Sequence, residues 1–110
     1  MNRALQRNVI RHAARAAPLL DGPRDRVAAA DVDNLLVDVS AELLHLEADR
    51  ARAERRLKRL ATEILDDPSA ADALSALANE VQQIGDAVDQ LEMLRRTLRF
   101  RRESLVRSRR

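Results

Sequence analysis

The chain contains no cysteine, no tryptophan and no tyrosine, and its one aromatic side chain is Phe100. Without cysteine there is no disulfide framework and no thiolate metal site, a composition that fits a cytoplasmic chain. Without large aromatics, any core has to be assembled from Leu, Val, Ile and Ala. Glycine and proline are almost as scarce, with Gly22, Gly85, Pro18, Pro23 and Pro68 the full complement in 110 residues. So few turn-formers exclude an all-β chain. No apolar run approaches the ~20 residues of a membrane span, so a membrane location is not expected. The nucleophile elbow, the phosphate-binding loop and the glycine-rich turn are all missing. No enzymatic activity and no cofactor are expected on this basis.

What is present is charge and helical periodicity. Charged residues make up 35% of the chain, a level that suits long solvated helices. The net charge of +2 hides an uneven distribution. Residues 1–20 carry Arg3, Arg7, Arg11 and Arg15 and no acid, the middle of the chain is acidic, and the stretch from Arg95 onward is strongly basic.

Three helices read out. A basic amphipathic helix occupies residues 1–20, with arginines every four residues on one side and Leu5, Val9, Ala13, Ala16 and Leu20 on the other. Pro18 is expected to end it after Ala17, and residues 21–30 form a linker. A second helix starts near Asp31 or Asp33, either a suitable cap. Its seam runs Val32, Leu36, Val39, Leu43, Leu46, Ala53, Leu57, Leu60 and Ile64, interrupted by Arg50. That 3–4 spacing is a coiled-coil signal. The run from Asp66 to Ser69 stops it, and Asp67 with Pro68 can begin the next helix. The third helix repeats the rule with Leu74, Leu77, Val81, Ile84, Val88, Leu91, Leu98 and Leu105, and Arg95 and Arg102 fall in its seam.

A linker this short folds the two long helices back on each other. The predicted fold is therefore all-α: a long antiparallel hairpin over residues 31–106, its turn near 66–69, followed by a basic tail at 107–110. With the turn centred there, facing residues have numbers that sum to about 135. Arg102 then lies near Asp31 and Asp33, Arg95 and Arg99 near Asp38 and Glu42, Arg55 near Glu80, and Gly85 beneath Arg50.

The second helix carries another apolar line, Val37, Ala41, Leu44, Ala48 and Ala51, well away from the seam. It calls for a cover, either the first helix in a three-helix bundle or a second hairpin in a dimeric four-helix bundle. Leu35, Val37, Leu44, Met93 and Phe100 are the candidate partner-binding residues at the open end. Protein partners or self-association into a homo-oligomer are expected.

Two further groups have chemical potential. Arg95, Arg96, Arg99, Arg101, Arg102 and Arg107 form a candidate anion or nucleic-acid surface, because guanidinium groups suit phosphate backbones. Glu42-Leu43-Leu44-His45 has the carboxylate–imidazole spacing of di-iron bundles, with Glu92 as a third candidate ligand. A single copy of that motif does not make such a centre, and no metal is expected. His12 reads as a solvated residue of the basic helix. The chain as a whole reads as a non-enzymatic interaction protein working through coiled-coil contacts, with nucleic-acid association the alternative and a metal-binding bundle the second.

Overall fold

The two heptad series become the two long helices of the molecule. In a computed structural model that describes residues 3–108, α1 spans Arg3–Asp21, α2 spans Ala29–Glu63 and α3 spans Ala70–Ser108. Asn2 and the tail arginines Arg109 and Arg110 lie outside the described residues. No strand forms among the described residues. The body measures 66 × 21 × 14 Å.

α2 and α3 pack antiparallel in the expected register. Arg102 reaches Asp33 across the open end. Further along, the Arg50 guanidinium covers Gly85, its Cζ 3.5 Å from where a Cβ on that glycine would stand. Both pairs of numbers sum to 135. Leu43, Leu91, Leu98 and Leu105 fill the interface with essentially no exposure, joined by Val32, Val39, Leu46, Ile84 and Val88. The other cross-hairpin charge pairs do not form. Arg50 turns to Glu54 at 3.2 Å, and Asp38 is taken by Arg15 at 2.8 Å. Exposed ion pairs contribute well under 1 kcal/mol, so neighbours on the same helix compete easily.

α1 lies against the open end, antiparallel to α2 and parallel to α3. Its Arg15 meets Asp38, its Leu5 sits near Ala53 and Ile84, and its C-terminus reaches Arg101. The bundle is therefore three-helical over half its length. Beyond the start of α1 the hairpin continues alone, with Leu77 buried, Leu57, Leu60, Ile64, Leu74 and Val81 only half-buried and Leu65 exposed at the turn.

Several local details differ from the sequence reading. α1 does not stop before Pro18 but runs on to Asp21. The proline forgoes only the bond to the carbonyl of Ala14, an exposed residue. Leu19 and Leu20 then pack against the core, and Gly22 N–H donates to the Pro18 carbonyl at 3.0 Å. α2 begins two residues earlier than expected, at Ala29, and Ala28 precedes it without a side-chain cap. Asp31 instead sits in the first turn, where its charge favours the helix dipole. At the turn Pro68 does not open the helix, because α3 begins at Ala70. Asp67 Oδ1 accepts bonds from the Ser69 hydroxyl at 2.6 Å and the Ser69 amide at 3.0 Å. Those bonds hold the Asp67 carboxyl below its usual range.

The two glycines respond oppositely to an added methyl group. At Gly22 a Cβ would lie 2.5 Å from the Pro18 carbonyl oxygen and 2.8 Å from Val27 Cγ2. Gly22→Ala is expected to cost ~1–3 kcal/mol in urea unfolding, because rigid atoms have to move. At Gly85 the nearest atom is the flexible Arg50 guanidinium. Gly85→Ala is expected to raise stability by ~0.5–1 kcal/mol through helix propensity.

Candidate interaction surfaces

The apolar residues expected at one open-end surface are distributed over three places. Leu35 is 0% exposed and belongs to the core, so it lines no free surface. The two-helix seam of the sequence reading left it outside. A third helix widens the buried face of α2 to include it, alongside Ala16, Val27, Leu19 and Leu20. Val37 lies two residues, about 200° of helix, beyond Leu35. With Leu44 it forms the reverse of α2, and Leu44 is 69% exposed. Met93 and Phe100 bear the same relation to the buried Leu91 and Leu98, and they form the reverse of α3. Because α2 and α3 face each other, these two reverses point apart and do not combine.

The reverse of α2 is the more extended of the two. Val37, Ala41, Leu44 and Ala48 are exposed along it at heptad spacing. Leu36, Val37, Ser40, Ala41 and Leu44 line a shallow hollow of 390 Å³ with Arg99 of α3 at its rim. On α3, Phe100 shares a 430 Å³ hollow with Arg24, Ser104 and Arg107.

The arginines of α3 also divide. Arg101 points inward, where its Nε donates to the Leu19 carbonyl at 3.1 Å and its Nη2 to the Gly22 carbonyl. It places a cation on the negative end of α1, whose own last turn has no basic residue. This occupies the group expected to bind an external anion. Arg102 is held by Asp33, and Arg107 by Glu103 at 3.4 Å. Arg95, Arg96 and Arg99 are in no ion pair with a described residue. Arg99 projects beside Leu36 and Ser40, whereas α1 sits on the opposite flank, against Asp38. Arg99 of α3 and Arg15 of α1 thus belong to different sides.

The E-x-x-H residues are likewise separated. His45 is exposed and pairs with Asp49 at 3.3 Å. Glu42 faces His12 of α1. Glu92 stands on the flank away from α1, two residues and about 200° from Gln90, which faces α1. Among the described residues, no group of three or more potential ligands gathers to hold a metal ion. Nor is any helix among them long and apolar enough to cross a membrane.

One polar residue occupies a place the sequence reading missed. His12, expected in solvent, is 4% exposed. The buried line of α1 runs Leu5, Val9, His12, Ala16 and Leu19, and Ala13 is exposed. A heptad spacing through position 12 was the available signal, hidden by the neighbouring Arg11. His12 Nδ1 is buried without a hydrogen-bond partner. Burial pushes the imidazole below its ordinary value; Glu42 pulls it back up, and Arg11 and Arg15 lower it further.

Compared with protein families, with functionally characterised proteins and with solved structures, the chain finds no significant match. Its surfaces have to be interpreted from their own chemistry.

His12 gives the bundle a pH dependence of defined sign. Its folded pKa lies below the unfolded value of about 6.5, so the unfolded chain binds more protons on acidification. Its contribution is complete above pH ~6.5 and is lost as the pH falls from there toward the folded pKa. Unfolding free energies measured from pH 7.5 to 5.5 are expected to decline for the native chain and to change much less for His12→Leu.

Proposed function

We propose that this chain is a non-enzymatic helical interaction protein, an adaptor or scaffolding subunit that docks a partner along the reverse of α2. The observation that carries this reading is the exposed line of Val37, Ala41, Leu44 and Ala48. The fold makes no use of it: the core is closed by α1, α2 and α3 without any of the four. Leu44 exposes an apolar side chain for no intramolecular gain, and regular apolar patches of this sort mark contact sites on soluble proteins. The alanines let a partner helix approach closely, and the large residues at heptad intervals suit helix-to-helix packing.

The division of the arginines weighs against nucleic acid as the principal partner. Three of the six candidate arginines are engaged within the chain, and Arg99 lies on the flank away from α1. Phosphate-backbone binding draws on a continuous basic surface.

A photo-crosslinking residue at position 41, expressed in the native host, tests this directly. One defined protein adduct is expected. Val37→Asp or Leu44→Asp should abolish it while changing stability by no more than about 0.5 kcal/mol, since both positions are exposed. An adduct that survives both substitutions would sink the reading. So would absorbance at 260 nm that copurifies with the chain and disappears in high salt.

A further inference from the structure

We infer that the occupant of the α2 reverse face is a second copy of this chain, paired antiparallel through α2. The inference rests on the contact surface proposed above and names its partner.

The line itself is self-complementary in one direction. Its residues alternate large and small: Val37, Ala41, Leu44, Ala48. In an antiparallel helix pair each position meets one of the opposite kind, with facing numbers that sum to about 85. Val37 then meets Ala48 of the second copy and Ala41 meets Leu44, each twice by symmetry. Every large side chain has a small one opposite, so the helices approach closely with no void or clash. The same patch serves both copies, as a two-fold dimer requires.

Charge fits the same direction. Asp31, Glu47, Arg55 and Arg99 are in no ion pair with a described residue. In the antiparallel register Arg55 lies beside Asp31 of the second copy. Arg52, held by the half-buried Asp49 on its own helix, lies within reach of that same aspartate. Glu47 falls opposite Ser40, and Arg99 lines the hollow that contains Ser40. A parallel pairing would set Arg55, which continues the line itself, against Arg55 of the second copy, and would put large residues of the line against large and small against small. The neighbouring helices leave this face open. α1 lies on the flank carrying Asp38, and α3 on the flank carrying Asp33 and Arg50.

The chain has no cysteine, so single introduced cysteines report the register cleanly. Chains carrying Val37→Cys and chains carrying Ala48→Cys are mixed and oxidised under mild conditions. The expected product is a mixed disulfide between the two variants. Each variant alone should remain unlinked, because position 37 lies 11 residues, about 16 Å, from its own copy in this register. Light scattering of the native chain should give twice 12.4 kDa, and Leu44→Asp should give the monomer with unchanged helicity. Ready linking of Val37→Cys to itself would overturn the antiparallel pairing. A monomeric native chain without mixed disulfide would overturn self-association. If the position 41 crosslinker still captured a different protein, the contact-surface reading would survive that result. Loss of both would remove both.

Discussion

Everything in this molecule is referred to the seam between α2 and α3. Leu43, Leu91 and Leu98 have no room to slide, because interiors pack at crystal-like density and a heptad seam admits knobs only into matching holes. That constraint places Asp33 opposite Arg102 and Arg50 over Gly85. It also decides which residues remain on the two reverse faces. The ion pairs at the hairpin's edges follow from the seam and do not create it. Several pairs that the register allows are abandoned in favour of neighbours on the same helix.

The first helix depends on the hairpin in a different way. Its own apolar side chains are few, and its buried line includes an imidazole with one unpartnered nitrogen. An unsatisfied buried polar atom costs about 1–3 kcal/mol. α1 is held in spite of this by Leu5, Val9, Ala16, Leu19 and Leu20, and by the Arg101 guanidinium on its last carbonyls. Of the three helices it is attached with the least margin, and burial of His12 there disfavours the protonated imidazole.

Much of this architecture was legible from residue order. The heptad series of α2 and α3, the turn at Asp67 and Pro68, and the pairing of Asp33 with Arg102 all follow from spacing and charge. Three features were not. Leu35 is buried because α1 adds a second packing direction, and a two-helix reading has no place for it. His12 is buried because the helix phase follows the best overall fit, which admits one polar residue in the line. Arg101 is engaged by carbonyls 79 and 82 residues earlier in the chain, a contact with no local signature. Of the five apolar residues expected on one surface, the fold buries Leu35 and divides the other four between two faces. Val37 and Met93 are similar in chemistry, yet the seam between their helices turns them to opposite sides.

The partial coverage of the hairpin by α1 has a mechanical consequence. Half the length of α2 and α3 is clamped by a third helix, and the other half is zipped by the buried Leu77 and a line of half-buried residues, ending at the exposed Leu65. Local opening is governed by the number of buried apolar contacts per turn, so the free energy of opening rises from the tip toward the bundle. The molecule is graded along its long axis, yielding at the turn and stiff where α1 packs on the hairpin. A load applied at Leu65 would part the helices there before it disturbed the reverse of α2, so that face would keep its shape while the far end gave way.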